Sequence, residues 1–495
     1  MLLSDIVLLD YKRCNRRPFL DFYGDPSEQE ETREFLLKLR EENRNQVLDI
    51  LNNTIYYQLE TPSEDWRNRG RETLEMMEKG VDCILNGVLW QTGLSGWNIP
   101  FSVQETVTLL ATPSLLIKQP GDSIFGNWQY EAVSIKLGRR PKPEYKLVAS
   151  FQGKLLSMIQ GTELVNPRLI LKSRSEHSVN LNLWLSRMEE TLTAILAMLI
   201  SRQEPEVFIS RQRCSLCQWQ GFCYEVAQEQ EHLSLLPGVT PSRYEVLKQL
   251  GLTSLASLAQ GNEQLLADNF GKSIASDLKK QAISTFYKTP LLKSGSPASI
   301  LETIPTAPRE IYFDIEAEPE RNLDYLLGVL IVDYEENTET FYPLVAKTPE
   351  AEAEIWEQFL DLVFLDPYAP IFHYSKYEAE TIRRLATLYN TSRKQEQLLQ
   401  KRLVDLHDRV TRFLILPTEN YSLKTIAQWL GFQWQEKGVS GEQCVCWYDQ
   451  WLKTYDRALL DTIIRYNEDD CRATYHLKTW LVNFLSSSSQ IWKDK

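Results

Sequence analysis

The chain has 495 residues, which at roughly 100 to 200 residues per domain predicts two to four domains and excludes a mini-protein. Hydrophobic residues make up 43% and charged residues 24%, ordinary globular usage that excludes wholesale disorder and fibrous repeats. The formal net charge is -13, with 33 Lys+Arg against 35 Asp+Glu in residues 1–300 and 21 against 32 in residues 301–495; bulk charge is therefore a poor route to nucleic acid, and any such binding must use local grooves or metal ions that neutralise phosphates.

The start MLLSDIVLLDYKRC lacks a charged leader region followed by an apolar stretch and cleavage site, and no run of 18 or more apolar residues occurs. A soluble, cytoplasmic chain without a membrane partner is expected. Residues 29–60 and 179–202 read as helices, the second apolar enough to be buried, and VTLLA and AVSIKL between them read as strands. The basic segments KRCNRR and KLGRRPK supply Lys12, Arg13, Arg16, Arg17, Lys136, Arg139, Arg140 and Lys142. They make either a phosphate-contacting groove or scattered solvated charge.

Eight cysteines are too sparse for a disulfide scaffold. Cys214, Cys217 and Cys223 follow C-x2-C-x5-C, a ligand-like spacing that needs a fourth donor, for which Cys14 is the obvious choice. Spacing alone leaves zinc, an iron-sulfur cluster and ordinary thiols open. Cys83, Cys444, Cys446 and Cys471 have no such frame and read as ordinary thiols.

Residues 231–287 read as several short helices, with Gly251 as a stop and Thr253 as a new N-cap. The pattern resembles a helix-hairpin-helix connector, which either offers backbone amides to phosphates or serves as a packing module. Pro290, Pro297, Pro305, Pro308 and the run KSGSP mark 288–308 as a linker. Beyond it, strands at REIYFDIE, YLLGVLIVD and TETFYPLV, a helix over 348–364, a strand at APIFHY and then mainly helices predict an α/β domain over 309–485.

In that domain Asp314 and Glu316 are two apart on a strand, so both carboxylates project from one face and repel unless a cation lies between them. Tyr466 and Asp470 are four apart on a long amphipathic helix and share a face. Glu378 lies where a strand runs into the first turn of a helix. Asp405 and Asp469 rank lower as supporting acids, and His373 reads as a packed polar residue.

FDIE, HYSKYE and YNEDD, with VDLHDRV and YSLKTIAQWLG between, resemble in order and spacing the motifs of the DEDD superfamily of 3′ to 5′ exonucleases, within it the YprB-like branch associated with RecB-type proteins. The resemblance implies an RNase H-like fold and two divalent ions, Mg²⁺ or Mn²⁺, held by Asp314, Glu316, Glu378 and Asp470 for phosphodiester hydrolysis, with Tyr466 orienting the attacking water. Glu378 stands where the superfamily usually carries Asp.

The lone cysteine in YKRCNRRPFLDFYGD and the later triplet look like the RecB-family PD-(D/E)XK nucleases that staple their ends with a [4Fe-4S] cluster. The match covers residues 1–230 and implies an α/β domain with Cys14, Cys214, Cys217 and Cys223 as cluster ligands, zinc ranking below iron-sulfur. Ser114 and Ser134 stand where that family has its two acids, and only Lys136 is kept. The implied domain is an inactive nuclease fold, with Glu131 the one acid that would rescue a metal site.

The combined expectation is an α/β multidomain protein: a PD-(D/E)XK-like domain over 1–230, a helix-hairpin-helix-like connector over 231–287, a linker over 288–308 and an RNase H-like domain over 309–485. Its expected activity is exonucleolytic, on DNA before RNA. No G-x-x-x-x-G-K-[ST] occurs, so any helicase partner would be a separate chain. The competing reading is a non-catalytic nucleic-acid-binding or scaffolding factor.

Overall fold

The computed structural model describes residues 1–52, 54–100, 107–436 and 438–493. The chain divides into two compact units, Met1–Val226 and Ala227–Lys495.

The first unit runs β1 (Leu2–Ser4), α1 (Asp5–Arg13), α2 (Arg16–Tyr23), α3 (Glu34–Ile50), β2 (Tyr57–Gln58), α4 (Trp66–Glu78), β3 (Cys83–Leu85), β4 (Leu89–Thr92), β5 (Thr108–Ala111), β6 (Leu115–Ser123), β7 (Gly126–Ile135), α5 (Pro143–Gln160), β8 (Arg168–Ile170), β9 (Glu176–Ser178), α6 (Leu181–Ser201), α7 (Arg211–Cys214) and α8 (Gln220–Glu229). A mixed sheet has the order β2-β3-β6-β7-β8-β9, and a smaller one the order β1-β5-β4. Pro143 opens α5 at a first-turn position where its missing N–H costs nothing. Gly161, at φ 64, closes it in the left-handed conformation that glycine adopts without penalty. Between these caps Leu147, Phe151 and Leu155 pack into one core with Met188, Leu192, Ile195 and Leu199 of α6.

The helix expected over residues 29–60 is confined to α3. Beyond Leu51 the sequence turns to Thr54, Ile55, Tyr56 and Tyr57, side chains stiff at χ1 or suited to a pleated surface, and Tyr57 pairs with Ile84 of β3.

The second unit opens with α9 (Pro241–Gln249), α10 (Leu255–Gln260), α11 (Glu263–Phe270) and α12 (Lys272–Tyr287), followed by β10 (Leu291–Leu292) and α13 (Pro297–Leu301). The cap of α10 is Ser254, one residue beyond the expected Thr253, because Ser254 and Ser257 satisfy each other's backbone amides in a capping box. Residues 288–308 are packed: β10 pairs antiparallel with β16 (Leu414–Ile415), and Ile300 and Ile304 are buried. Pro297 starts the short α13, since at the first helical position no amide is needed.

The central sheet of this unit has the order β13-β12-β11-β14-β15, built from β11 (Arg309–Glu318), β12 (Leu323–Asp333), β13 (Thr338–Val345), β14 (Ile371–His373) and β15 (Leu403–Asp405). The first three strands are antiparallel, and β14 and β15 join in parallel. Around them lie α14 (Glu352–Val363), α15 (Lys376–Leu388), α16 (Arg393–Arg402), α17 (Leu406–Phe413), α18 (Leu423–Trp429), α19 (Gly441–Thr454) and α20 (Arg457–Lys493). Alternation on β11 serves both faces: Phe313 and Ile315 pack with Ile355, Trp356 and Phe359 of α14, whereas Tyr312 packs with Cys471, Leu477 and Leu481 of α20. The acids of β11 share the parity of Tyr312, so they lie on the face that α20 crosses. No helix among the described residues is long and apolar enough to cross a membrane.

Candidate metal centre

Asp314, Glu316 and Asp470 each offer a carboxylate oxygen, and these oxygens lie within 4.8 Å of one another. It is the one such group of three or more acid, histidine or cysteine donors among the described residues. Strand β11 sets two of the acids and α20 brings in the third. Glu316 is buried, and Asp314 and Asp470 are partly exposed. Burial, with repulsion from the other acids, pushes the carboxyls of Asp314 and Glu316 well above the usual carboxylate range. Asp470 is pushed up to about 7 by burial, offset in part by the Trp434 hydrogen bond and the Lys424 charge.

Two of the three acids are held by neutral donors. Asn467 Nδ2 donates to Asp314 Oδ2 at 2.8 Å, and Trp434 Nε1 donates to Asp470 Oδ1 at 2.8 Å. Each bond takes up one oxygen and leaves the other for a ligand. Gly328, which faces Asp314 across the β11–β12 ladder, makes room for Asn467: a Cβ there would stand 1.7 Å from Asn467 Oδ1. Lys424 lies over the Trp434 ring at 5.8 Å and donates to Val439 O. Sequence reasoning missed Asn467, Trp434 and Lys424. Asn467 alone left a trace, since it sits inside YNEDD.

Glu378 is buried in the first turn of α15 and lies outside the three-acid group. Its charge nonetheless contributes to the raised carboxyl of Asp314. Tyr466 is buried one helical turn before Asp470, and burial with the neighbouring acids pushes its phenol far above the usual range, so it stays protonated. Asp469 points elsewhere, accepting from the backbone and side chain of Gln435. Asp405 caps α17 through the Asp408 amide.

The donor set suits a hard divalent cation: all ligands are oxygens, and crowded carboxylates that repel one another gain from the charge that such an ion brings.

In the first unit, Cys14, Cys214, Cys217 and Cys223 line one cavity of about 640 Å³, together with Lys12, Arg13, Arg16, Arg17, Arg40, Lys142 and Arg213. Burial raises the thiols of Cys214 and Cys223, and that of Cys217 to about 11. No three of these sulfurs lie within 4.8 Å of one another, whereas a tetrahedral zinc with Zn–S near 2.3 Å would draw them to about 3.8 Å. Cys83, Cys444 and Cys471 are buried elsewhere.

Ser114 Oγ accepts from Ile135 N at 3.0 Å. Ser134 Oγ donates to Gln152 Oε1, and Gln152 Nε2 donates to buried Asp5, both at 2.6 Å. Lys136 is lowered by burial and supported by the Asp5 charge. Asp5 thus joins this group through Gln152, and no motif in the sequence points to it. Glu131 is three residues from Ser134 on β7 and so faces the other way, where Arg168 holds it through two bonds of 3.2 and 2.7 Å.

No curated protein matches the chain. A family model described as RNase_H superfamily matches residues 311–482, a span that begins in β11, ends within α20 and contains all three clustered acids. The carboxylate-bearing part of the chain is accordingly an RNase H-like domain, a class whose members are generally phosphodiester hydrolases acting on nucleic acid.

Proposed function

We propose that the protein is a metal-dependent 3′ to 5′ exonuclease, acting on DNA in preference to RNA through its RNase H-like domain. The observation that carries this reading is the convergence of Asp314, Glu316 and Asp470, whose carboxylate oxygens lie within 4.8 Å of one another. Glu378 completes the ligand set. Mg²⁺ or Mn²⁺ bound there supplies an activated water and stabilises charge on the scissile phosphate. The chain's own residues do the rest. Trp434 and Asn467 orient two carboxylates before any ligand arrives, and Tyr466, a neutral phenol that hydrogen-bonds Asp470, offers its oxygen to the attacking water.

The domain plan 1–230, 231–287, 288–308 and 309–485 belongs to the same proposal, as does a cytoplasmic location. The first domain is read as an inactive RecB-like fold that binds substrate through its basic segments, because the side chains of Ser114 and Ser134 are engaged with Ile135 and Gln152 and Glu131 is engaged by Arg168. Cys14, Cys214, Cys217 and Cys223 are read as ligands of a [4Fe-4S] cluster. Supporting this are their shared cavity, its cationic lining suited to thiolates, and the amide of Ser210, which donates to Cys214 Sγ at 3.3 Å. A separate helicase is the proposed partner.

The test follows 5′-labelled single-stranded DNA and RNA of one sequence with Mg²⁺ or Mn²⁺, beside an Asp314→Ala/Asp470→Ala control. A ladder shortening from the 3′ end in the wild type alone is expected, faster on DNA. No metal-dependent loss of either substrate would overturn the reading in favour of a binding factor.

A further inference from the structure

Ser375 is the one residue of the candidate centre in a backbone region that L-amino acids avoid. It caps α15 with φ 156 and ψ 179, a combination populated essentially by glycine and costly for any side chain. Such a conformation persists only where its surroundings impose it. Here it carries the Ser375 hydroxyl to Glu378 Oε2 at 2.8 Å while that hydroxyl accepts from Tyr377 N at 3.0 Å. On the other side stands His373, the last residue of β14 and 1% exposed. Its Nδ1, buried without a hydrogen-bond partner among the described residues, is 3.4 Å from the same Glu378 oxygen.

Glu378 has one more methylene than an aspartate and so one more torsion to fix. Left free, its carboxylate would sample several rotamers, each presenting its oxygens differently. The Ser375 hydroxyl hydrogen-bonds Oε2, and the buried imidazole stands 3.4 Å from the same oxygen. Asp314, whose carboxyl the Glu378 charge helps to raise, has one oxygen likewise taken, by Asn467.

We propose that Ser375 and His373 are positioning residues that lock the Glu378 carboxylate for a second divalent cation, distinct from the one held by the three clustered acids. The proposal rests on the metal-nuclease reading above. It makes the two cation positions separable: substitutions at Ser375 or His373 act on the second and spare the first.

The experiment titrates the full-length protein with Mn²⁺ alone, following binding stoichiometry calorimetrically and by the paramagnetic signal of free ion. Wild type is expected to take up two ions. In Ser375→Ala, which keeps the backbone and loses the hydroxyl, the second ion should bind about 10- to 100-fold more weakly with the first unchanged. His373→Leu should behave alike, and Glu378→Gln should lose the second ion. Ser375→Gly supplies a readout that a merely structural residue would not: with EDTA its melting temperature should rise by about 2–4 °C as strain is relieved, while second-ion affinity falls. Two ions bound equally by wild type, Ser375→Ala and Ser375→Gly would overturn the positioning role and leave the metal-nuclease reading standing. Unchanged Mn²⁺ uptake in Asp314→Asn would instead overturn that reading itself.

Discussion

Asn467 on α20 donates from Nδ2 to Asp314 Oδ2 on β11 at 2.8 Å, joining residues 153 apart in sequence. It does so in a space that exists because Gly328 has no side chain. The bond aligns an acid whose charged form is otherwise disfavoured by burial and by three neighbouring carboxylates.

Gly328→Ala should therefore act at a distance from its own strand. A methyl placed 1.7 Å from Asn467 Oδ1 forces the amide away from Asp314, at a cost of about 1–3 kcal/mol in stability. Denaturant unfolding in EDTA measures that loss, and Mn²⁺ titration should show weaker first-ion binding.

Removing an acid should stabilise the metal-free protein. Asp314 has a folded-state carboxyl raised well above its ordinary value, so the folded protein prefers the protonated form. Its contribution to stability is lost as pH rises from the unfolded value near 4 through the folded one. Asp314→Asn should be more stable than wild type at pH 8 in EDTA by on the order of 2 kcal/mol. Saturating Mn²⁺ should reverse the order. Thermal melts under both conditions test the pair of signs.

The same shifts give metal binding a pH dependence. Protons held by the raised carboxyls compete with the cation, so Mn²⁺ affinity should climb as pH rises above the usual carboxylate range and through about 7, the value reached by Asp470, with Asp314 and Glu316 raised as well. Calorimetry in buffers of different ionisation enthalpy should register proton release on Mn²⁺ binding at about pH 7.

Trp434→Phe keeps an aromatic ring and deletes the donor to Asp470. About 10- to 100-fold weaker first-ion binding is expected, because Asp470 loses the bond that fixes its orientation. Lys424 also loses the indole face it lies over. Mn²⁺ titration at pH 8 provides the comparison.

The cysteine cavity has its own test. Anaerobically purified protein should be brown with broad visible absorption, and Cys217→Ser should be colourless. Stoichiometric zinc in place of iron would contradict the assignment.

Much of the centre was legible in the sequence because periodicity fixes which way a side chain faces. Two-residue spacing on β11 put Asp314 and Glu316 on one side, and four-residue spacing on α20 aligned Tyr466 with Asp470. The central strands and the buried helix α6 followed from the same rules. Elsewhere local signals did not suffice. Prolines that read as a linker open a helical turn at Pro297, and β10 is a strand only because β16 lies beside it.

What the sequence determined by itself is the set of carboxylates and the faces that carry them, since these depend on dihedral angles within a few residues. Tertiary structure alone decided the convergence of those acids, the Asn467 and Trp434 bonds that hold them, the strained Ser375 beside Glu378 and the gathering of Cys14 with a triplet 200 residues away. Each of these needs partners far apart along the chain, and such partners meet only when burial of both sheet faces has fixed where every helix lies.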